Sequence, residues 1–192
     1  MSTATEKRPA HSLRHRTPGR SLECALWENQ GKNQGTYYTC TLSRSWKDDG
    51  TDTWTDISAR FGASDLLPAA QLLYWADNEV GVAIAANAKA DETKRPVASK
   101  SRGLLEVAVW HKVTEDGDRY NVSLKRKYEH EGKRKEEIIR LQADQLLPAA
   151  RLLSRSFDAI DQLYAEGSSN FVAKAREDFG GSSVDDDSDI PF

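Results

Sequence analysis

Two tryptophans, Trp27 and Trp110, occupy matching places in two similar stretches, LECALWENQ and LEVAVWHKV. Hydroxyl, amide and cationic side chains follow them: Thr39, Thr41, Ser43, Ser45 and Lys47 after the first, Asn121, Ser123, Lys125 and Lys127 after the second. Trp54 and Arg60 come next, with Arg140 matching Arg60. Rings that stack on bases, hydroxyls that hydrogen-bond and cations that follow phosphates are what holding a single-stranded nucleic acid requires, each stack being worth about 1–3 kcal/mol. Duplexes hide their base faces, so this chemistry favours single strands. Trp27 and Trp110 also admit a plainer reading, packing between the two stretches, and spacing alone leaves both open. Arg44-Ser-Trp46 and Arg126-Lys-Tyr128 each place an arginine two residues before an aromatic, which suits guanidinium–ring stacking or a phosphate contact.

The residues singled out for strand binding are therefore Trp27, Arg44, Trp46, Lys47, Trp54, Arg60, Trp110, Lys125, Arg126, Lys127, Tyr128 and Arg140. The second stretch is the more basic (Lys125, Arg126, Lys127, Lys133, Arg134, Lys135), and the first is richer in aromatics (Tyr37, Trp46, Trp54). Unequal contributions follow, more phosphate attraction from one and more stacking from the other. No catalytic set is apparent: no carboxylate, histidine or cysteine cluster is shared by the two stretches, and no glycine-rich phosphate loop occurs. The expectation is a protein that is not an enzyme and needs neither metal nor cofactor.

These residues are positioned by a tandem repeat. TYYTCTLSRSW at 36–46 recurs as DRYNVSLKRKY at 118–128, and LLPAAQLL at 66–73 as LLPAARLL at 146–153. A unit of about 60 residues is too small to make a comfortable core alone, so two would gain by packing together. Each reads strand, strand, strand, helix. Leu22, Cys24 and Leu26 alternate with Glu23, Ala25 and Trp27, Leu105, Val107 and Val109 repeat the buried parity, and Tyr38, Cys40 and Leu42 match Tyr120, Val122 and Leu124. The third strands run near Trp54–Phe61 and Lys135–Leu141. Ser64 or Asp65, and Asp144, are candidate N-caps, with proline in the first helical turn. Leu66, Leu73, Val80 and Ile84 continue one helical stripe, and Leu146, Leu153, Ile160 and Tyr164 the other. Cys24 and Cys40 alternate with Val107 and Val122, which makes them small buried hydrophobes rather than nucleophiles.

The predicted class is α+β: two tandem units, each an antiparallel sheet followed by a helix, packed as an intramolecular pseudo-dimer. The predicted boundaries are a disordered basic arm at 1–20, units at 21–88 and 104–166, a linker at 89–103 and a disordered acidic tail at 167–192. The chain carries 27 basic and 30 acidic residues for a net charge of −3. That balance hides opposite ends, a basic arm and a tail dominated by Asp185, Asp186, Asp187 and Asp189. The longest apolar stretch is too short to span a bilayer, the basic amino end lacks the apolar run of a secretory signal, and two cysteines make no disulfide framework. The expected location is the cytoplasm, at a bacterial nucleoid or in a phage-infected cell.

GTYYTCTLSRSWKDDGTDTWTDISARFGASDLLPAAQLL resembles the core of positive cofactor four, a transcriptional coactivator with a single-stranded-DNA-binding domain. That resemblance implies a curved antiparallel sheet of four strands followed by a helix, an arginine near an aromatic on the second long strand, and a working dimer. The carboxyl end, SSVDDDSDIPF, is similar to the acidic tip of bacterial SSB, the single-stranded DNA-binding protein. The matching residues are Asp185, Asp186, Asp187, Asp189, Ile190, Pro191 and Phe192, with Ser188 the one interruption. In that family the tip docks on replication and repair proteins, and Phe192 offers a ring and a terminal carboxylate together. The sequence thus points to a bacterial or phage protein that holds single-stranded DNA in replication, recombination or repair and recruits partners through its tip. A transcriptional or RNA-binding regulator of the same fold and an interaction protein imitating the SSB tip are the alternatives. Homo-oligomerisation is left open, and no membrane partner is expected.

Overall fold

The computed structural model describes residues 8–31, 35–48, 50–86, 95–115 and 117–179, with side chains as far as residue 167. Its two units share one plan. Strands β1 (His11–Thr17), β2 (Arg20–Gly31), β3 (Gly35–Lys47) and β4 (Trp54–Gly62) form an antiparallel sheet in chain order. A 3-10 turn at Ala63–Asp65 then leads into α1 (Leu66–Ala85). The second unit repeats this with β5 (Ala98–Arg102), β6 (Leu105–Thr114), β7 (Gly117–His130), β8 (Lys133–Gln142), a turn at Ala143–Gln145 and α2 (Leu146–Phe179).

The alternation in the sequence becomes the inner face of each sheet. Leu22, Cys24, Leu26, Cys40, Leu42, Ala59 and Phe61 are buried in the first, and Leu105, Val107, Val109, Val122, Leu124, Ile139 and Leu141 in the second. The helices exchange sheets. α1 lies against β5, β6 and β7, whereas α2 lies against β1, β2 and β3, and the two helices pack on each other. The T-shaped contact of Tyr38 on β3 with Tyr164 on α2, centroids 5.1 Å apart, belongs to this exchange. So does Lys100 on β5, which sits over the ring of Trp75 on α1. Leu66, Leu73 and Val80 join Leu146, Leu153 and Ile160 in one continuous core. Neither unit has a covered inner face of its own, which is the physical content of a pseudo-dimer within one chain.

Several boundaries differ from the sequence reading. There are four strands per unit, not three. The first strand of each unit falls within the expected basic arm (β1) or linker (β5). Both are edge strands with little apolar content, HSLRHRT and ASKSR, and an edge with one solvated side needs few apolar residues and gains from charge. Each is tied to the next strand by a tight hairpin whose glycine takes a positive φ, +70° at Gly19 and +60° at Gly103. The second helix passes 166 and continues to Phe179, because Ala173, Lys174, Ala175, Arg176 and Glu177 are strong helix formers beyond the Gly167-Ser-Ser interruption. Ile84 departs from the apolar stripe and is exposed. Asp65 does not cap α1 from Oδ to the helix; it reaches back, accepting the Gly62 amide at 3.0 Å, and Gln145 does the same for Gln142. Among the described residues no helix is long and apolar enough to cross a membrane.

Candidate nucleic-acid interface

The helices cover one face of each sheet, and the opposite parity forms an open face. Strand register sets the rows on it. Across the first sheet Ser12, Ala25, Thr41 and Arg60 stand side by side; across the second, Ser99, Ala108, Ser123 and Arg140. One row is the chemical copy of the other: hydroxyl, alanine, hydroxyl, arginine.

Trp27 and Trp110 lie on this same parity next to the alanines. The Trp27 indole Nε1 donates to Thr41 Oγ1 at 3.1 Å, and the Trp110 Nε1 to Ser123 Oγ, also at 3.1 Å. Each indole is thereby tied across the neighbouring strand to the hydroxyl that precedes the arginine in the row. Trp110 stays 37% exposed and Trp27 is half-buried. Among the described residues the side chains of Arg60 and Arg140 have no ion-pair partner, so both cations remain available to an anion. The strands that carry them, β4 and β8, lie beside each other along the unit boundary. There the Arg60 backbone N–H donates to the Glu137 carboxylate, and Arg44 donates to the Arg140 carbonyl at 3.4 Å.

Other sequence-derived candidates fall into two groups. Trp54, Lys47, Lys125 and Lys127 share the open face. Trp54 is 61% exposed at the start of β4. The cations are partly engaged: Lys47 with Asp52, Lys125 with Glu136 at 3.2 Å and Lys127 with Glu106 at 2.7 Å. The bond from Lys127 holds the Glu106 carboxyl below its ordinary range, and the same bond raises the Lys127 ammonium. These carboxylates would have to be displaced by a phosphate.

Arg44, Trp46, Arg126 and Tyr128 form the second group, on the inner parity beyond the core and at the junction of the units. The expected guanidinium stacking is present, with Arg44 4.4 Å from the Trp46 centroid and Arg126 5.2 Å from that of Tyr128. Arg126 also bonds through Nε to Asp65 of the other unit at 2.6 Å, with only 20% and 15% of these side chains exposed. In the repeat Arg44 corresponds to Arg126 and Gln145 to Asp65, and the Nε of Arg44 is buried without a partner. Burial, reinforced by the nearby Arg20, pushes the Arg44 guanidinium down from its ordinary value. These arginines join the two sheets.

Sequence reasoning missed Arg14, Arg16, Glu23 and Glu106. Arg14 on β1 pairs with Glu23 at 3.0 Å, whereas Glu106, the counterpart of Glu23, is paired from the other side by Lys127 on β7. The available signal was GRSLE at 19–23 against GLLE at 103–106, a shared hairpin glycine before the first apolar strand. Cys24 and Cys40 are buried, and a hydrogen bond between them, with burial, raises the Cys40 thiol well above its ordinary value, as suits an inert core residue. The His111 side chain is 2% exposed and stacks on Tyr120 at 4.8 Å; Asp118 Oδ1 is 3.2 Å from its Nε2 without hydrogen-bond alignment. Among the described residues no three His, Cys, Asp or Glu side chains converge on a metal position. The tip residues Asp185, Asp186, Asp187, Asp189, Ile190, Pro191 and Phe192 lie outside the described residues.

Fold and site together define a two-unit sheet-and-helix protein with an aromatic and cationic row on each open face. No family model and no curated protein matches the chain. Among solved structures, the plant transcriptional regulator PBF-2 aligns at 7% identity and a TM-score of 0.33, over 83% of this chain and 86% of that one. WHY1 from Arabidopsis thaliana aligns at 9% identity and a TM-score of 0.33, over 90% and 95%. Superpositions this loose carry no residue correspondence, and the chemistry of the site stands on its own side chains.

Proposed function

We propose that this protein binds single-stranded DNA on the open faces of its two sheets, acts in DNA replication, recombination or repair, and recruits partner proteins through its carboxyl-terminal tip. One observation carries the binding reading: an indole, the hydroxyl that fixes it and an arginine free of any ion pair among the described residues recur at equivalent places on both sheets. A packing role would bury the indoles and would not require an unpaired cation beside each. Titration with a labelled oligonucleotide tests it. Single strands should bind far more tightly than a blunt duplex of equal length, with a log affinity that falls by about 0.7 per log unit of salt for each phosphate neutralised. Equal affinity for the duplex rules out stacking, and tighter binding of RNA than of DNA assigns the protein to the RNA-binding regulators, since only the 2′-hydroxyl differs.

The tip reading rests on the composition of DDDSDIPF, an aspartate run followed by Ile-Pro-Phe. Its four aspartates repel phosphates, so removal of Ser182–Phe192 should leave strand affinity unchanged or slightly higher at low salt. Phe192→Ala keeps every aspartate and removes only the ring. It should abolish capture of replication and repair proteins in a pull-down from bacterial lysate while oligonucleotide affinity stays that of the parent. Retention of the same partners by the truncated protein refutes the docking role.

A further inference from the structure

The two sheets carry clefts at equivalent places with unlike linings. On the first, an open cleft of about 630 Å³ is lined by Arg16, Ser43, Ser45, Trp54 and Asp56 among others. On the second, a cleft of about 460 Å³ is lined by Lys127, Tyr128, Arg134, Lys135 and Glu136 among others. Both are of a size that takes a nucleotide. The registers align them: Ser45 stands opposite Asp56 on β3 and β4, and Lys127 opposite Glu136 on β7 and β8. Counting back along β4 and β8 puts Arg134 where Trp54 is, on the open-face parity, and Lys135 where Thr55 is, on the opposite parity beside Tyr128 at the rim of the cleft.

The chemistry differs accordingly. The first cleft presents a well-exposed indole between hydroxyls, and its charged groups (Arg16, Arg20, Glu23, Asp56) cancel, with Arg20 already bonded to Asp144 at 3.0 Å. The second presents three cations against Glu129 and Glu136, and among the described residues Arg134 and Lys135 have no ion-pair partner. An indole between neutral donors suits a base, whereas unpaired cations suit the phosphate backbone.

The arrangement of the units gives this difference a consequence. Exchanged helices, adjoining β4 and β8, and corresponding arginines that each reach into the other unit are the marks of an isologous, two-fold-like contact. A strand crossing two identical sites so related would meet them with opposite polarity and could run either way with equal affinity. Unlike sites remove that equivalence. Resting on the strand binding proposed above, we propose that the Trp54 cleft is a base-stacking subsite and the Arg134–Lys135 cleft a phosphate subsite of one path, so that a single strand lies across the protein in one direction.

The test uses the full chain and an oligothymidylate long enough to cross both sheets, beside the same strand made abasic. Trp54→Ala should weaken the thymidylate at least several-fold, leave the abasic strand unaffected and keep the salt slope. The double substitution Arg134→Ala with Lys135→Ala should weaken both strands alike and flatten the slope by about 0.7 for each phosphate no longer neutralised. For direction, a donor dye on Thr53→Cys, in the exposed turn before β4, is read against an acceptor at the 5′ or the 3′ end. Cys24 and Cys40 are fully buried and do not take the label. Unequal energy transfer from the two ends is expected. Equal transfer, or variants that change salt slope and abasic binding in the same way, overturns the division of subsites while leaving strand binding in place. A parent protein that binds neither strand overturns strand binding itself.

Discussion

Replacing Trp27 and Trp110 together by alanine should lower affinity for a single strand between about thirty-fold and about twenty-thousand-fold, the range of two lost base stacks. Each single substitution should produce about half of that free-energy change, because the rings lie on separate sheets and share no partner. Folding should change little. Both rings lie on the face opposite the helices, outside the buried cluster, and each gives up one hydrogen bond to a hydroxyl that water can replace. Intrinsic fluorescence gives a second readout, since a base stacked on either indole quenches it and each substitution should remove part of that quench. Packing between the units would give the opposite pattern, a protein that melts earlier and binds as tightly as the parent.

Much of this arrangement is legible in the residues because period-two alternation survives duplication. Leu22-Cys24-Leu26 and Leu105-Val107-Val109 agree in parity, which puts Trp27 and Trp110 on the open face; the last strands alternate likewise, Phe61 and Leu141 inward, which puts Arg60 and Arg140 there too, where the strand register has them. What is not legible has two physical causes. Edge strands such as His11–Thr17 need only Leu13 turned toward the core, so they look like a charged arm. The exchange of helices between sheets leaves no local trace, because the stripe Leu66-Leu73-Val80 fits either inner face. The roles of Arg44 and Arg126 depend on that exchange. Both follow the inward parity, yet they emerge past the core where the other unit begins, and Arg126 finds Asp65 there 61 residues away in sequence. A repeat shows which residues correspond; it does not show which of them meet.

That meeting can be measured through stability. Asp65 accepts both the Gly62 amide, at 3.0 Å, and Arg126 Nε, at 2.6 Å. Removing one partner of a fully buried pair costs about 3–5 kcal/mol, and the partial exposure of this one brings the expected loss to about 2–3 kcal/mol. Asp65→Ala also removes the acceptor of the turn, for a total near 3 kcal/mol and a fall in Tm of about 10 °C for a chain of this size. Asp65→Asn keeps an oxygen for Gly62 and loses only the charge, so it should account for most of the fall. The second unit offers the converse. Gln142 and Gly62 share the same extended backbone, and Gln145 stands where Asp65 does, while the Nε of Arg44, the counterpart of Arg126, lacks a partner. Gln145→Asp should recreate the bridge and raise Tm by a few degrees, about 1 kcal/mol. Arg126→Ala should lower Tm much as Asp65→Asn does, with an unchanged salt slope for strand binding, because its charge is committed to the junction. An Asp65→Asn protein that melts with the parent would show that the bridge contributes nothing. A flattened salt slope in Arg126→Ala would return that arginine to the strand-binding set.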